Sequence, residues 1–245
     1  MDIGDVLSEA WGLYKRFFRQ FFLTALVVFA VLDLVSALAA QAAGNSVGAG
    51  VLWGLVAVLI SIIGYFWVQG ALVELVRDVQ DGRADRSVGE TYAAVQPRLP
   101  ALIAAGLLAG LGIAVGFVLL IVPGLYLLTI WSMLVPVIVI EGRAAGESFT
   151  RSREVVRGNG WPVFGLVLIT FITIEIAAGL IRLLFAPLPN FLDDWLGSLV
   201  AHSITIPFAA AALTTAYFKL TASTAVEPEP DPGAEPAAAE PPPAT

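Results

Sequence analysis

Long apolar runs separated by short polar stretches dominate the chain. The runs fall at roughly 21–43, 50–73, 100–122, 124–140, 161–185 and 195–218. Crossing a hydrocarbon core takes about 20 helical residues, so the pattern predicts an all-α polytopic membrane bundle with six transmembrane helices. Between the third and fourth runs only Ile121-Val122-Pro123-Gly124-Leu125 is available as a connection. Because proline cannot continue a helix, a tight helical hairpin is expected there. Pro136 predicts a kink inside the fourth span.

A second pattern, with helical period but alternating faces, precedes the first run. Ile3, Val6, Leu7, Ala10, Trp11, Tyr14, Phe17, Phe18 and Phe21 recur at helical spacing, while Asp5, Ser8, Glu9, Gly12, Arg16 and Arg19 take the other side. Such a helix lies in the membrane interface with its rings at headgroup depth and its cations near lipid phosphates; packing beneath the bundle is the compatible alternative. Trp11, Lys15, Arg16 and Arg19 are therefore candidate headgroup contacts. Asp2-Ile3-Gly4-Asp5, Ser87-Val88-Gly89-Glu90 and Ala144-Ala145-Gly146-Glu147 each open a short helix leading into a span. Asp2 and Ser87 have capping logic and Ala144 does not. The chain thus reads as three units, each an amphipathic interfacial helix followed by a two-span hairpin. In the third, Arg151 and Arg157 join the headgroup candidates, and Glu147 with Arg151 makes a pair one turn apart.

Composition supports lipid as the solvent: 58% of the 245 residues are hydrophobic and 13% charged, against about 25% charged in a soluble domain. Mean hydropathy is +0.85. With no cysteine there is no disulfide and no thiolate metal site. Much of the net charge of −7 sits in Glu227, Glu229, Asp231, Glu235 and Glu240, within a proline- and alanine-rich stretch expected to be disordered. The domains expected are 1–20, an amphipathic interfacial helix; 21–220, a six-span membrane domain; and 221–245, an acidic cytoplasmic tail. Every Lys and Arg except Arg182 falls on one side if the N-terminus is cytoplasmic. That asymmetry places both termini in the cytoplasm of a multi-pass protein of the plasma (inner) membrane. A cleaved leader ending near Ala37-Leu38-Ala39 is the rival reading; Asp2, Asp5, Glu9 and Asp33 argue against it.

Charges inside the spans are the candidate chemistry, since each is costly in lipid without a partner or cavity. Asp33 in the first span, Glu175 and Arg182 in the fifth and His202 in the sixth form a candidate intramembrane polar site. Asp33, Glu175 and His202 are expected at comparable depth. Gly106, Gly110, Gly112 and Gly116 are spaced for close helix approach, read as packing within the chain. No nucleophile–base pair, metal-ligand motif, phosphate loop or basic nucleic-acid patch occurs. A non-enzyme without metal or cofactor and without a nucleic-acid partner is the expectation.

In its third unit the chain resembles the six-span membrane domain of glycerophosphoryl diester phosphodiesterases and related prokaryotic membrane proteins. The residues concerned are Ile121-Val122-Pro123-Gly124, Trp131, Pro136, Glu141-Gly142, Ala145, Ser148, Ser152, Val155, Gly158 and Trp161. The resemblance is best over 115–165 and loose over residues 1 to about 220. In those relatives hydrolysis belongs to a separate soluble barrel, which these residues do not contain, so the activity is not carried over. The resemblance implies a membrane module near phospholipid metabolism or the envelope, with membrane lipid as its partner. Two alternatives stand beside it: a small proton- or cation-linked permease using the polar site, and a scaffold whose tail recruits a membrane or cytoplasmic protein.

Overall fold

The computed structural model describes residues 1–43 and 47–225. The loop at Gly44-Asn45-Ser46 and the acidic tail expected from Glu227 lie outside the described residues. Helix α1 (Ile3–Arg16) opens on Asp2, whose carboxylate accepts from the Asp5 N–H at 3.1 Å. Phe17 separates it from α2 (Phe18–Ala43), and α3 (Val47–Asp78) returns. Helix α4 (Val88–Val95) starts in a reciprocal box: Ser87 Oγ accepts from the Glu90 N–H, and Glu90 accepts from the Ser87 N–H. One 3₁₀ turn, Gln96–Arg98, leads into α5 (Leu99–Leu119). Then follow α6 (Ile121–Ile130), α7 (Leu134–Glu141), α8 (Ala145–Val156) and α9 (Gly160–Leu183). Short α10 (Asn190–Leu192) and a π turn at Asp193–Gly197 precede α11 (Ser198–Ala225).

Among the described residues, six helical stretches are long and apolar enough to cross a membrane: Phe18–Gln41, Gly50–Asp78, Val88–Leu119, Ile121–Glu141, Gly160–Leu183 and Asp193–Ala222. The chain is an all-α bundle with the architecture of a multi-pass membrane protein. The expected hairpin and the expected interruption of the fourth span are both present, but each sits before its proline. The hairpin between the third and fourth spans turns at Leu120, which is extended at φ −162°, ψ 151°. Pro123 lies in the first turn of α6, where a backbone N–H would have no intrahelical partner. The fourth span breaks at Trp131–Met133, one turn before Pro136, because the proline ring would clash with the carbonyl four residues earlier. Pro136 thereby falls in the first turn of α7.

Burial is uneven along the spans. At one end, Leu72, Leu75 and Val76 of α3, Val137 and Val139 of α7, and Ala212, Ala216 and Leu220 of α11 are buried against Val6 and Ala10 of α1, Val95 of α4 and Val155 of α8. At the other end Leu52, Leu59, Val118, Leu119, Val122, Leu183 and Leu184 are exposed. A contiguous apolar belt of that kind is stable only when lipid covers it. The protein-built core therefore sits at the end capped by α1, α4 and α8.

Three side-chain hydroxyls lock this capped end. Tyr14 of α1 donates to the Ile204 carbonyl on α11 at 2.8 Å, Tyr92 of α4 to the Thr24 carbonyl on α2 at 2.6 Å, and Ser152 of α8 to the Ile130 carbonyl on α6 at 2.7 Å. Taking α1–α3, α4–α7 and α8–α11 as the units, each capping helix reaches into a different unit: first to third, second to first, third to second. The contacts close a ring. Burial pushes the Tyr14 phenol up to about 12, which keeps it a donor at neutral pH.

Candidate functional site

Asp33 on α2 and His202 on α11 meet, with His202 Nδ1 3.1 Å from each carboxylate oxygen. Their side chains are 11% and 30% exposed, and the imidazole lies 5.1 Å from the Phe29 ring. An open groove of about 420 Å³ between α2, α3 and α5 reaches Asp33, with Ser36, Ser61 and Tyr65 in its lining. Glu175 is not part of this pair. It stands exposed on α9, and among the described residues neither it nor the exposed Arg182 has an ion pair. The reason is helical phase: Thr173, Ile174 and Ala177 face the space shared with α1 and α11, and Glu175 lies on the outward side of the same turn.

The amphipathic start of the chain builds a second feature. Its apolar stripe is split: Val6, Ala10 and Tyr14 are buried against the bundle, whereas Trp11 and Phe18 remain about half exposed. These two rings roof a lateral groove of about 770 Å³ between α1, α9 and α11, whose walls are Ile174, Ala177, Ile204, Thr205 and Phe208. Lys15 is at its edge, with Nζ 5.5 Å from the Trp11 ring centroid. The opening faces sideways, where hydrocarbon chains would lie, with one cation at the rim.

The other candidate headgroup residues divide into engaged and free. Arg16 donates to the Gly82 carbonyl at 3.0 Å and stacks over Phe17. Arg19 is exposed beside Arg86 in a small cleft. Arg151 bonds Glu141 at 2.8 Å and 3.0 Å through Nε and lies 3.5 Å from Glu154. The anticipated partner Glu147 is therefore replaced by Glu141, which the turn at left-handed Gly142 (φ 71°) brings across from α7. Arg157 is exposed and lines a cleft with Arg153.

Reading the sequence missed two acidic hubs. Glu141 accepts from Arg151, from Arg143 Nε at 3.2 Å and from the Tyr217 hydroxyl at 2.7 Å, tying α7, α8 and α11 together. Partial burial opposes the Arg151 charge, but its bonds to Glu141 outweigh that and hold the guanidinium above its usual range. Glu74, buried near the end of α3, is paired with Arg86 and has Arg77 at 3.7 Å. Asp78 accepts the backbone N–H groups of Asp85 and Arg86 at 3.1 Å. The signal for both hubs was an acid placed where an apolar span ends near several arginines.

Compared with known proteins, the chain matches a family model over residues 22–224. That model is described as a domain of unknown function, DUF7847. No curated protein and no solved structure matches the chain.

Proposed function

Since the chain belongs to the DUF7847 family, whose matched region, residues 22–224, covers nearly all of the six spans but not α1, we propose that it is a non-catalytic membrane module that holds phospholipid in lateral grooves. The observation that carries this reading is the groove between α1, α9 and α11. It opens to the side, is walled by apolar groups and is edged by Trp11 and Lys15. An acyl chain fills such a surface through van der Waals contact with its apolar walls, the term that drives packing inside the hydrocarbon. The rim ammonium attracts a lipid phosphate. The location proposed is the plasma (inner) membrane, with the capped end and both termini cytoplasmic, because the basic residues concentrate there. The likeness of the third unit to the phosphodiesterase membrane domain supports an association with envelope lipids.

The test is native mass spectrometry of the full chain purified in mild detergent. A phospholipid-mass adduct retained in stoichiometric amount is expected, with one lipid fewer bound in Ala177→Trp, which fills the groove while leaving the capped end intact. Absence of adduct, or retention unchanged by Ala177→Trp, contradicts the proposal. The Asp33–His202 pair and its open groove favour a second reading, a proton- or cation-linked permease. Proton uptake by proteoliposomes that is lost in Asp33→Asn would support it.

A further inference from the structure

The cleft between α6, α8 and α9 changes character along its length. It holds about 500 Å³ and is lined at one end by Tyr126 and Ile130 of α6 and at the other by Arg153 and Arg157. Both arginines are exposed, and among the described residues neither guanidinium has an ion pair or a hydrogen bond. Their neighbour Arg151 shows the contrast, being held by Glu141. Glu154 also lines the cleft, but its carboxylate lies 3.5 Å from Arg151. A Cβ at Gly158 or Gly160 would meet nothing within 4 Å, so this side of the cleft is open space. Beside it Trp161 is 83% exposed, and an unburied indole at the end of a span marks the headgroup level of a bilayer.

Two unneutralised guanidinium groups beside an apolar wall at headgroup depth make an amphipathic cradle. The geometry points to a binding site for the phosphodiester of an anionic phospholipid, held by Arg153 and Arg157 with the glycerol and chains directed toward Tyr126 and Ile130. Guanidinium forks match phosphate oxygens bidentately, and a pair whose neighbouring Glu154 lies against Arg151 instead leaves that capacity unused within the protein. A soluble phosphate ester would share the polar half of this chemistry; the apolar wall and Trp161 favour the lipid. The inference rests on the lipid reading above and names a headgroup class at a second place, separate from the groove, on the capped end.

The experiment offers the purified full-length chain equal amounts of phosphatidylglycerol and phosphatidylcholine in mild detergent and counts bound lipids by native mass spectrometry. Wild type is expected to retain phosphatidylglycerol over phosphatidylcholine by about thirtyfold, as two near-surface cations would give. The R153Q/R157Q variant should fall to parity with its phosphatidylcholine adduct unchanged, and R153K/R157K should recover part of the preference. Both variants alter exposed side chains, and unchanged thermal melting verifies that each folds. Parity in wild type, or a preference that survives R153Q/R157Q, overturns the site while leaving the groove reading standing. Loss of both lipids from wild type overturns both readings. Displacement of phosphatidylglycerol by low-millimolar inorganic phosphate would make a soluble phosphate the ligand and overturn the lipid assignment.

Discussion

Gly106 and Gly110 lie one turn apart on α5 and differ in what a methyl group would meet. At Gly106 a Cβ would run into the Phe66 ring, whereas at Gly110 nothing lies within 4 Å. Gly106→Ala is therefore expected to cost about 1–3 kcal/mol by overpacking. Gly110→Ala should be neutral or stabilising by up to about 1 kcal/mol, the helix-propensity gain. Thermal melting of the two variants in detergent checks this, and equal effects would contradict the packing described. The spacing of the four glycines was legible in the sequence, but which of them meets a ring was not, because Phe66, against Gly106, comes from α3 and Trp131, against Gly112, from the break between α6 and α7. Glu141 shows the same limit. Its position at the end of a span was visible, yet its partners Arg151 and Tyr217 converge only through the Gly142 turn and the path of α11.

At the level of elements, α1 shows how a surface pattern becomes a structural one. Its stripe of apolar residues was readable, and the helix uses that stripe twice, burying Val6, Ala10 and Tyr14 while leaving Trp11 and Phe18 to the groove. The Tyr14 hydroxyl bond to Ile204 binds the helix to α11, and Tyr14→Phe should cost about 1 kcal/mol at neutral pH. The pH dependence has a definite sign. A phenol near 10 in the unfolded chain and raised to about 12 when folded stabilises the fold fully below pH 10. That contribution is lost as pH rises from 10 toward 12. Wild type should therefore lose stability more steeply over that window than Tyr14→Phe, as followed by chemical denaturation; parallel curves would refute the assignment. Breaks were less legible than stripes. Prolines 123 and 136 announced interruptions, but a proline tolerated in a first turn moves the break to its N-terminal side, to Leu120 and to Trp131–Met133.

For the whole molecule, six spans and three capping helices were legible because lipid imposes length and amphipathicity on each separately. The ring of hydroxyl contacts, from first unit to third, second to first and third to second, was not, since it depends on how the units are arranged in space. The intramembrane site was half legible: Asp33 and His202 meet, and Glu175 misses by the phase of its helix. The headgroup cleft lies at the capped end, and the groove runs from α1 to mid-span residues Ala177 and Ile204, so the headgroup assignments depend on that end facing the cytoplasm. The chain contains no cysteine, which makes single-cysteine labelling unambiguous. Arg83→Cys, in the connection between α3 and α4, and Pro187→Cys, between α9 and α10, report the two ends. In intact cells a membrane-impermeant maleimide should modify Pro187→Cys and spare Arg83→Cys until the membrane is permeabilised. Labelling of Arg83→Cys from outside, with Pro187→Cys protected, would invert the molecule and contradict the cytoplasmic lipid sites.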